Sequence, residues 1–113
     1  LLAQVDVMVV ASHYETFGVV AAEALMAGVP VVATRCGGPE WVVTERDGCL
    51  VPPGDPQALA GAMAEVADSV GRFDRKAIIK RAKARFSGET VARQLTVVYE
   101  DVFARFPQTG VPE

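Results

Sequence analysis

Short apolar runs alternate with a helical segment along the first third of the chain. Residues 5–10 form a β-branched run, which is typical of a strand buried on both faces. Residues 18–27 are rich in Ala, Leu and Met and predict a buried helix that closes at Gly28. Residues 29–34 predict the next strand, with Pro30 near its start, where a missing N–H matters least. The pattern therefore predicts a strand–helix–strand unit.

Turn residues divide the next part of the chain. The glycines and proline at 37–39 predict a turn into a short helix through residues 41–43. A second turn at residues 47–48, which is Asp-Gly, leads into a brief strand at 49–51. We therefore expect a second helix and a third strand in this region.

The last half of the chain predicts three helices in succession. Asp55 is the expected N-cap of the first, with Pro56 at its first position. The second covers about 74–86, and Ser87 can cap the third. Apolar positions at helical spacing predict buried faces: Leu59, Met63, Val66 and Val70 in the first helix, and Val91, Leu95, Val98, Val102 and Phe106 in the last.

This order of elements predicts an α/β fold with a doubly wound parallel sheet, Rossmann-like in character. Three strands make only a partial sheet, so we expect further strands to be contributed by sequence upstream. The chain begins without methionine and reaches its first strand within four residues, which favours the same expectation. We predict one domain over residues 1–106, incomplete at its N-terminal side, and a tail at 107–113.

Composition narrows the classes of function. Half of the 113 residues are hydrophobic and few are aromatic, as in a globular domain with an aliphatic core. The net charge of -3 argues against a nucleic-acid partner. Two cysteines, Cys36 and Cys49, are too few for a disulfide framework, so we expect reduced thiols and a cytoplasmic location. The single histidine, His13, excludes a multi-histidine metal site.

The loop before the first helix is the expected ligand site, because open α/β sheets bind ligands beyond the carboxyl ends of their strands. Thr16 is a plausible N-cap, which would aim the amides of Gly18, Val19 and Val20 out of the helix start. Those donors and the helix dipole suit a phosphate or a sugar hydroxyl. The loop is therefore predicted to bind an anionic or hydroxylated ligand.

Two carboxylates accompany this loop. Glu23 lies in a helix that is apolar nearly all the way round, and an unpaired buried carboxylate would be costly, so we expect it to have a partner. That partner is either Arg35, in a structural ion pair, or a ligand shared with Glu15 at the same cleft. Two carboxylates in one cleft can bind a polyhydroxylated ligand, because each accepts several hydroxyl hydrogen bonds.

A long ordered motif resembles the signature of the group 1 family of retaining glycosyltransferases. Its first part is Ser12-x-x-Glu15-Thr16-Phe17-Gly18-x-x-x-x-Glu23-Ala24-x-x-x-Gly28-x-Pro30-Val31-Val32-Ala33-Thr34. The resemblance continues through Gly37-Gly38-Pro39-Glu40, Asp47-Gly48-Cys49-Leu50-Val51, Pro53-Gly54-Asp55 and Leu59-Ala60, and ends with Phe86-Ser87 and Tyr99. It covers nearly the whole chain.

The resemblance implies the second half of the C-terminal domain of a GT-B fold, in which two Rossmann-like domains face a cleft. It implies that Glu15 contacts the hydroxyls of the donor sugar and supports the departing sugar as the catalytic residue. It implies that Glu23 binds the ribose of the nucleotide. The remaining donor-binding residues are those of the loop and helix start: Thr16, Phe17, Gly18 and Val19.

The implied reaction transfers a sugar from a nucleoside diphosphate sugar to an acceptor with retention at the anomeric carbon. It implies no cofactor and no metal, because amides and basic side chains stabilise the departing diphosphate. No Arg or Lys lies between Ser12 and Thr34, so we expect those basic groups in an upstream N-terminal part. We therefore expect this chain alone to be inactive. The acceptor, whether sugar, glycan, lipid or small molecule, is not indicated.

Two other functions remain open at this stage. The first is a non-catalytic sugar-nucleotide-binding or regulatory module, and the second, which we favour less, is another GT-B enzyme such as a sugar-nucleotide epimerase.

Seven of the eleven basic residues fall in residues 72–85. For this run we favour a solvated helix face over a membrane-surface role. The apolar face of the same helix is expected to pack inward: Ile78, Ile79, Ala82 and Phe86. We interpret His13 as a solvated loop residue, with ligand contact as the alternative. Trp41 is predicted to anchor its short helix in the core rather than to stack on a sugar.

Overall fold

A computed structural model of the chain describes residues 1–106. At its centre is a parallel sheet of three strands in the order β1 (Met8–Val10), β2 (Val31–Thr34) and β3 (Gly48–Val51). The helices are α1 (Val19–Met26), α2 (Gly38–Val42), α3 (Pro56–Asp68), α4 (Arg75–Phe86) and α5 (Gly88–Arg105), with short 3-10 turns at Leu2–Gln4 and Val70–Arg72. The predicted tail at 107–113 lies outside the described residues.

Helices cover the sheet on both faces, as the alternating pattern predicted. The central strand β2 is buried along its whole length. Val31 and Ala33 face a cluster formed with α1, α2 and α4, whereas Val32 faces a smaller cluster formed with α3. Because successive side chains of a strand point to opposite faces, β2 contributes to both halves of the core. The predicted α/β class with a doubly wound parallel sheet is confirmed.

The first strand is shorter and less buried than its sequence suggests. Only Met8–Val10 pair with β2, and of these only Val10 is buried. Val7 and Val9 pack partly against the α3 side of the core. The prediction of a strand buried on both faces is therefore wrong for the described residues, because β1 lies at an edge of their sheet.

Helix α1 ends through a glycine, as predicted. Gly28 has a φ of +78°, a conformation that side-chain-bearing residues rarely adopt. Its amide donates to the Leu25 carbonyl at 3.0 Å, and the amide of Val29 donates to the Ala24 carbonyl at 2.9 Å. This pair of bonds is a Schellman motif, which satisfies the last helical carbonyls and turns the chain into β2.

Side-chain caps begin the three later helices, and two of them, Asp55 and Ser87, confirm the sequence prediction. The Asp55 carboxylate accepts from the amide of Ala58 at 2.9 Å at the start of α3. Asp74 accepts from the amide of Lys76 at 3.0 Å before α4, and Ser87 accepts from that of Thr90 at 3.1 Å before α5. Each cap satisfies a donor that has no partner within its helix.

Two of the predicted helical faces are not buried as expected. In α3 the buried residues are Ala62 and Val66, whereas Met63 is 41% exposed. In α5 the whole predicted stripe is exposed: Val91, Leu95, Val98, Val102 and Phe106. For α5 the reason is that it packs against α4 rather than against the sheet, so no apolar surface within residues 1–106 covers its stripe. The inward face of α4 is confirmed by the burial of Ile78 and Ala82.

Candidate functional site

The β1–α1 loop (residues 11–18) crosses the carboxyl ends of the strands. Thr34, the last residue of β2, is buried and its hydroxyl donates to the carbonyl of Ser12 and, at 3.4 Å, to that of Val10. These contacts join two segments that lie 22 to 24 positions apart in sequence. The loop therefore leaves β1 in a direction set by the neighbouring strand, and no local sequence pattern predicts that contact.

Glu15 is the best-held residue of this loop. Its amide donates to the Cys36 carbonyl at 3.1 Å, and its carbonyl accepts from the Gly38 amide at 2.7 Å. These bonds extend the parallel pairing by one bridge, between Glu15 and Gly37. The Glu15 carboxylate accepts from the Ser12 hydroxyl at 3.0 Å and is partly exposed. The backbone of Glu15 is thus held in place, and the carboxylate oxygen that does not accept from Ser12 remains available to other donors.

The partner of Glu15 in these hydrogen bonds is a glycine turn (residues 36–39), which approaches the β1–α1 loop closely and clamps it. A Cβ on Gly38 would lie 2.2 Å from the Phe17 carbonyl carbon, far inside any real contact. Gly37 has a φ of +111°, and a Cβ there would meet the Glu15 oxygen at 2.7 Å. Both positions therefore require glycine, one for space and one for conformation as well.

The start of α1 differs in detail from its prediction. Gly18, not Thr16, is the N-cap; it has a φ of +84° and makes no side-chain cap. The first helical bond runs from the Ala22 amide to the Gly18 carbonyl at 3.1 Å. The amides with no partner inside the helix are therefore those of Val19, Val20 and Ala21, one position later than expected. Thr16 is wrong as an N-cap because a left-handed glycine turns the chain into the helix instead.

Glu23 lies on α1 about four residues, or roughly 6 Å, beyond the helix start. The structure contradicts its predicted burial: its side chain is exposed, along with those of Val19 and Val20. None of the ion pairs within residues 1–106 involves Glu23, so the predicted alternative of a pair with Arg35 is wrong. The helix is buried through its alanines and Leu25, which leaves an exposed stripe that includes this carboxylate.

The loop carries aromatic side chains, and one of them meets an aromatic ring of α4. The rings of Phe17 and Phe86 meet edge to face, with centroids 6.0 Å apart and planes at 83°. Tyr14 and His13 are exposed, in agreement with a solvated histidine. Trp41 is 79% exposed, so its predicted role as a core anchor is wrong. The core positions of its short helix are held by neighbours on the opposite face instead.

Arginines of α4 make contacts that the sequence did not indicate. Arg81 donates from Nε at 2.9 Å to the carboxylate of Asp47, which is 97% buried and also accepts from the Thr44 hydroxyl at 2.8 Å. Arg75 donates to carbonyls near the start of the chain, including that of Ala3 at 3.1 Å. The basic run is therefore only partly a solvated face, because several of its cations bind other elements of the fold.

A small cavity of about 200 Å³ lies next to the loop. Its lining joins the exit of β1 to the start of α3: Ala11, His13, Gly54, Asp55, Pro56 and Leu59. Small-molecule sites usually enclose about 300–1,000 Å³, so this cavity is smaller than a typical one.

In the part of the chain that the structure describes, no group of three His, Cys, Asp or Glu side chains is arranged to hold a metal ion. Nor does any helix there have both the length and the apolar character to cross a bilayer.

The sheet, the clamped loop and the exposed helix start together define a class of fold. Sucrose-phosphate synthase from Thermosynechococcus elongatus superimposes with a TM-score of 0.76 at 40% identity, over 88% of this chain and 26% of that one. HepE from Anabaena, solved in complex with UDP-glucose, gives a TM-score of 0.77 at 28% identity, over 88% and 29%. The chain is a partial Rossmann-like domain of the type found in the C-terminal half of GT-B glycosyltransferases.

Sequence comparison specifies the family. The family described as "Glycosyl transferases group 1" matches residues 1–69. The D-inositol 3-phosphate glycosyltransferase of Corynebacterium urealyticum is 39% identical over 96% of this chain and 26% of its own length. The chain therefore belongs to the group 1 glycosyl transferases. It spans about a quarter of the length of the curated relatives it matches.

Proposed function

We propose that this chain is the donor-binding part of a retaining glycosyltransferase, which transfers a sugar from a nucleoside diphosphate sugar to an acceptor. The observation that carries the proposal is the β1–α1 loop, clamped by Gly38 and followed at once by an exposed helix start. Such a loop presents backbone donors in a fixed position at the edge where parallel α/β sheets bind their ligands.

The diphosphate of the donor is assigned to the start of α1. Three unpartnered amides there, at Val19, Val20 and Ala21, combine with the helix dipole to favour a negative charge. Gly18 lets a ligand approach the backbone closely because it has no side chain. HepE, which shares this fold, has been solved with UDP and with UDP-glucose, and that supports a donor of the same chemical class here.

The two carboxylates are assigned to hydroxyl groups of the donor. Glu15 is held by its backbone and its side chain accepts one bond from Ser12, so the remaining lone pairs are available to sugar hydroxyls. Glu23 is exposed on the same helix whose start would bind the diphosphate, at a distance of roughly 6 Å along the axis. A ribose joined to that diphosphate is the group it would reach.

The proposal also includes retention of configuration at the anomeric carbon and a reaction that needs no metal ion. The departing diphosphate is stabilised by amides that already point at it, which lowers the barrier without any reorganisation. The cations that complete the charge balance come from outside the described residues of this site, so the 113-residue chain alone does not turn over. We place the reaction in the cytoplasm, where thiols such as the free Cys36 and Cys49 remain reduced.

The test is a titration of the 15N-labelled chain with UDP-glucose, GDP-glucose and ADP-glucose, followed by NMR. Amide shifts are expected at residues 15–23. Glu23→Gln weakens nucleotide and nucleotide sugar alike, whereas Glu15→Gln weakens only the nucleotide sugar. Glu65→Gln, an exposed carboxylate on α3, is the matched control and changes neither. No shift with any of the three donors, or equal shifts in all variants, overturns the proposal.

A non-catalytic donor-binding module is the second candidate. It is favoured by the absence of any Arg or Lys between Ser12 and Thr34, because a transferase needs basic groups to stabilise the departing diphosphate, whereas a binding module does not. Both candidates predict the same NMR response. They differ when the chain is joined to the rest of its protein: a transferase then consumes the donor in the presence of an acceptor, whereas a module binds it unchanged.

A further inference from the structure

The C-terminal end of α4 contacts the β1–α1 loop through one aromatic pair. Phe86, the last residue of α4, meets Phe17 edge to face at 6.0 Å, across 69 positions of sequence. Phe17 is 46% exposed, so burial alone does not determine where its ring lies. An edge-to-face pair has a defined geometry and restricts both rings.

Arg85, the preceding residue of α4, contacts the Phe86 ring. Its guanidinium carbon lies 4.5 Å from the Phe86 ring centroid, within the range of a cation–π contact. The same guanidinium donates to the Val42 carbonyl at 3.0 Å and to the Trp41 carbonyl, both at the C-terminal end of α2. Helix ends leave such carbonyls unpaired and carry partial negative charge, which an arginine satisfies.

These contacts close a ring around the loop. Gly38, at the start of α2, holds the backbone of Glu15, and Arg85 holds the end of the same short helix. Phe86 then holds the side chain of Phe17. The loop is therefore held both by the start of α2, through the Glu15 backbone, and by the end of α4, through the Phe17 ring.

We propose that Phe86 is a positioning residue for donor binding, which acts through Phe17 and is oriented by Arg85. This inference rests on the proposed function for its consequence, because Phe17 is expected to present its backbone to the donor sugar and diphosphate. Phe86 itself touches no ligand. Its loss frees the Phe17 ring and broadens the range of positions of the amides that follow it.

The test uses three variants of the 15N-labelled chain. Phe86→Leu keeps an apolar side chain and removes the ring, and Phe86→Tyr keeps the ring. Phe73→Leu is the matched control, because Phe73 lies just before α4, is partly buried and pairs with Arg72 at 5.6 Å, as Phe86 does with Arg85. Amide relaxation of residues 14–20 measures loop order without ligand, and titrations with UDP-glucose and with uridine measure affinity.

Phe86→Leu is expected to increase the mobility of the loop amides and to raise the Kd for UDP-glucose about 3- to 10-fold, the size of one lost aromatic pair. The Kd for uridine is expected to stay unchanged, and Phe86→Tyr to behave like the wild type. A purely structural role would weaken both ligands and would be reproduced by Phe73→Leu.

Two failures are distinguishable. If the wild-type chain responds to UDP-glucose but Phe86→Leu leaves loop order and affinity unchanged, or Phe73→Leu alters them equally, the positioning role is overturned and the proposed function stands. If the wild-type chain responds to none of UDP-glucose, GDP-glucose and ADP-glucose, the proposed function is overturned, and the donor role of Phe86 with it.

Discussion

The carbonyl of Glu15 accepts a hydrogen bond of 2.7 Å from the amide of Gly38, although Glu15 lies in the β1–α1 loop and Gly38 begins α2. This bond extends the parallel pairing of β1 and β2 beyond the last regular residue of either strand. A loop joined to a sheet in this way shares the rigidity of the sheet. The site therefore combines the free amides at the start of α1 with a loop whose backbone is held at Glu15.

Gly38→Ala tests this clamp. The added methyl would lie 2.2 Å from the Phe17 carbonyl carbon, so one of the two backbones must shift. We expect the free energy of unfolding to fall by about 1–3 kcal/mol, as for other overpacked sites, and the amide signals of residues 15–18 to move. Urea denaturation and NMR measure the two effects.

The matched control for that variant is Gly61→Ala. Gly61 lies in the interior of α3, and a Cβ there meets nothing within 4 Å. Alanine has the higher helix propensity, so stability is expected to rise by about 0.5–1 kcal/mol. The two glycine variants should thus have opposite signs, and a loss of stability in both would contradict the steric account.

Thr34→Val tests the link between β2 and the exit of β1. Valine has nearly the same shape as threonine but cannot donate to the carbonyls of Ser12 and Val10. Leaving partly buried acceptors unpaired is expected to cost about 1–3 kcal/mol, with faster amide exchange in the β1–α1 loop. Thr96→Val removes a similar bond on the exposed face of α5 and should change stability by less than about 0.5 kcal/mol.

Local signals predicted much of this fold from the sequence. The caps at Asp55 and Ser87 and the glycine at the end of α1 are decided by the few residues around them, and all three are confirmed. The order of strands and helices follows from runs of apolar residues in the same way. The start of α1 was displaced by two residues, because a left-handed glycine can replace a side-chain cap at Thr16.

The contacts between distant parts of the chain are a different matter. The bonds from Thr34 to Ser12, from Arg81 to Asp47 and from Arg85 to Val42 span 22, 34 and 43 positions, and no local pattern encodes them. The predictions of buried helix faces were wrong for a related reason. An apolar stripe specifies which face of a helix is apolar, but not whether another element covers that face. Glu23 was misplaced because α1 is apolar on its exposed side as well.

Arg81→Leu tests the buried ion pair at the amino end of β3. Asp47 is 3% exposed and would keep only the Thr44 hydroxyl as a side-chain partner. A buried charge that loses its partner is strongly destabilising, and because Arg81 is itself one-third exposed we expect a loss of about 2–3 kcal/mol rather than the full cost. Urea denaturation provides the measurement.

Arg105→Leu is the corresponding control. Its pair with Asp101 is exposed on both sides and lies at i,i+4 on α5. Such pairs contribute about 0.3–0.5 kcal/mol, so the two arginine variants should differ several-fold. Equal effects would mean that the Asp47 pair is more solvated than its geometry indicates.

The exposed stripe of α5 leads to the last prediction. Because Leu95 and Val98 are 49% and 56% exposed, truncating either to alanine in the 113-residue chain should change the free energy of unfolding by less than about 0.5 kcal/mol. Ile78→Ala, at a fully buried position of α4, should instead cost about 2–5 kcal/mol. Denaturation of the three variants by urea provides the comparison. If Leu95→Ala proves as costly as Ile78→Ala, the stripe of α5 is covered in solution. Measuring the unfolding transition at several protein concentrations then identifies the cover. A second copy of the chain makes the transition depend on concentration, whereas cover within one chain does not.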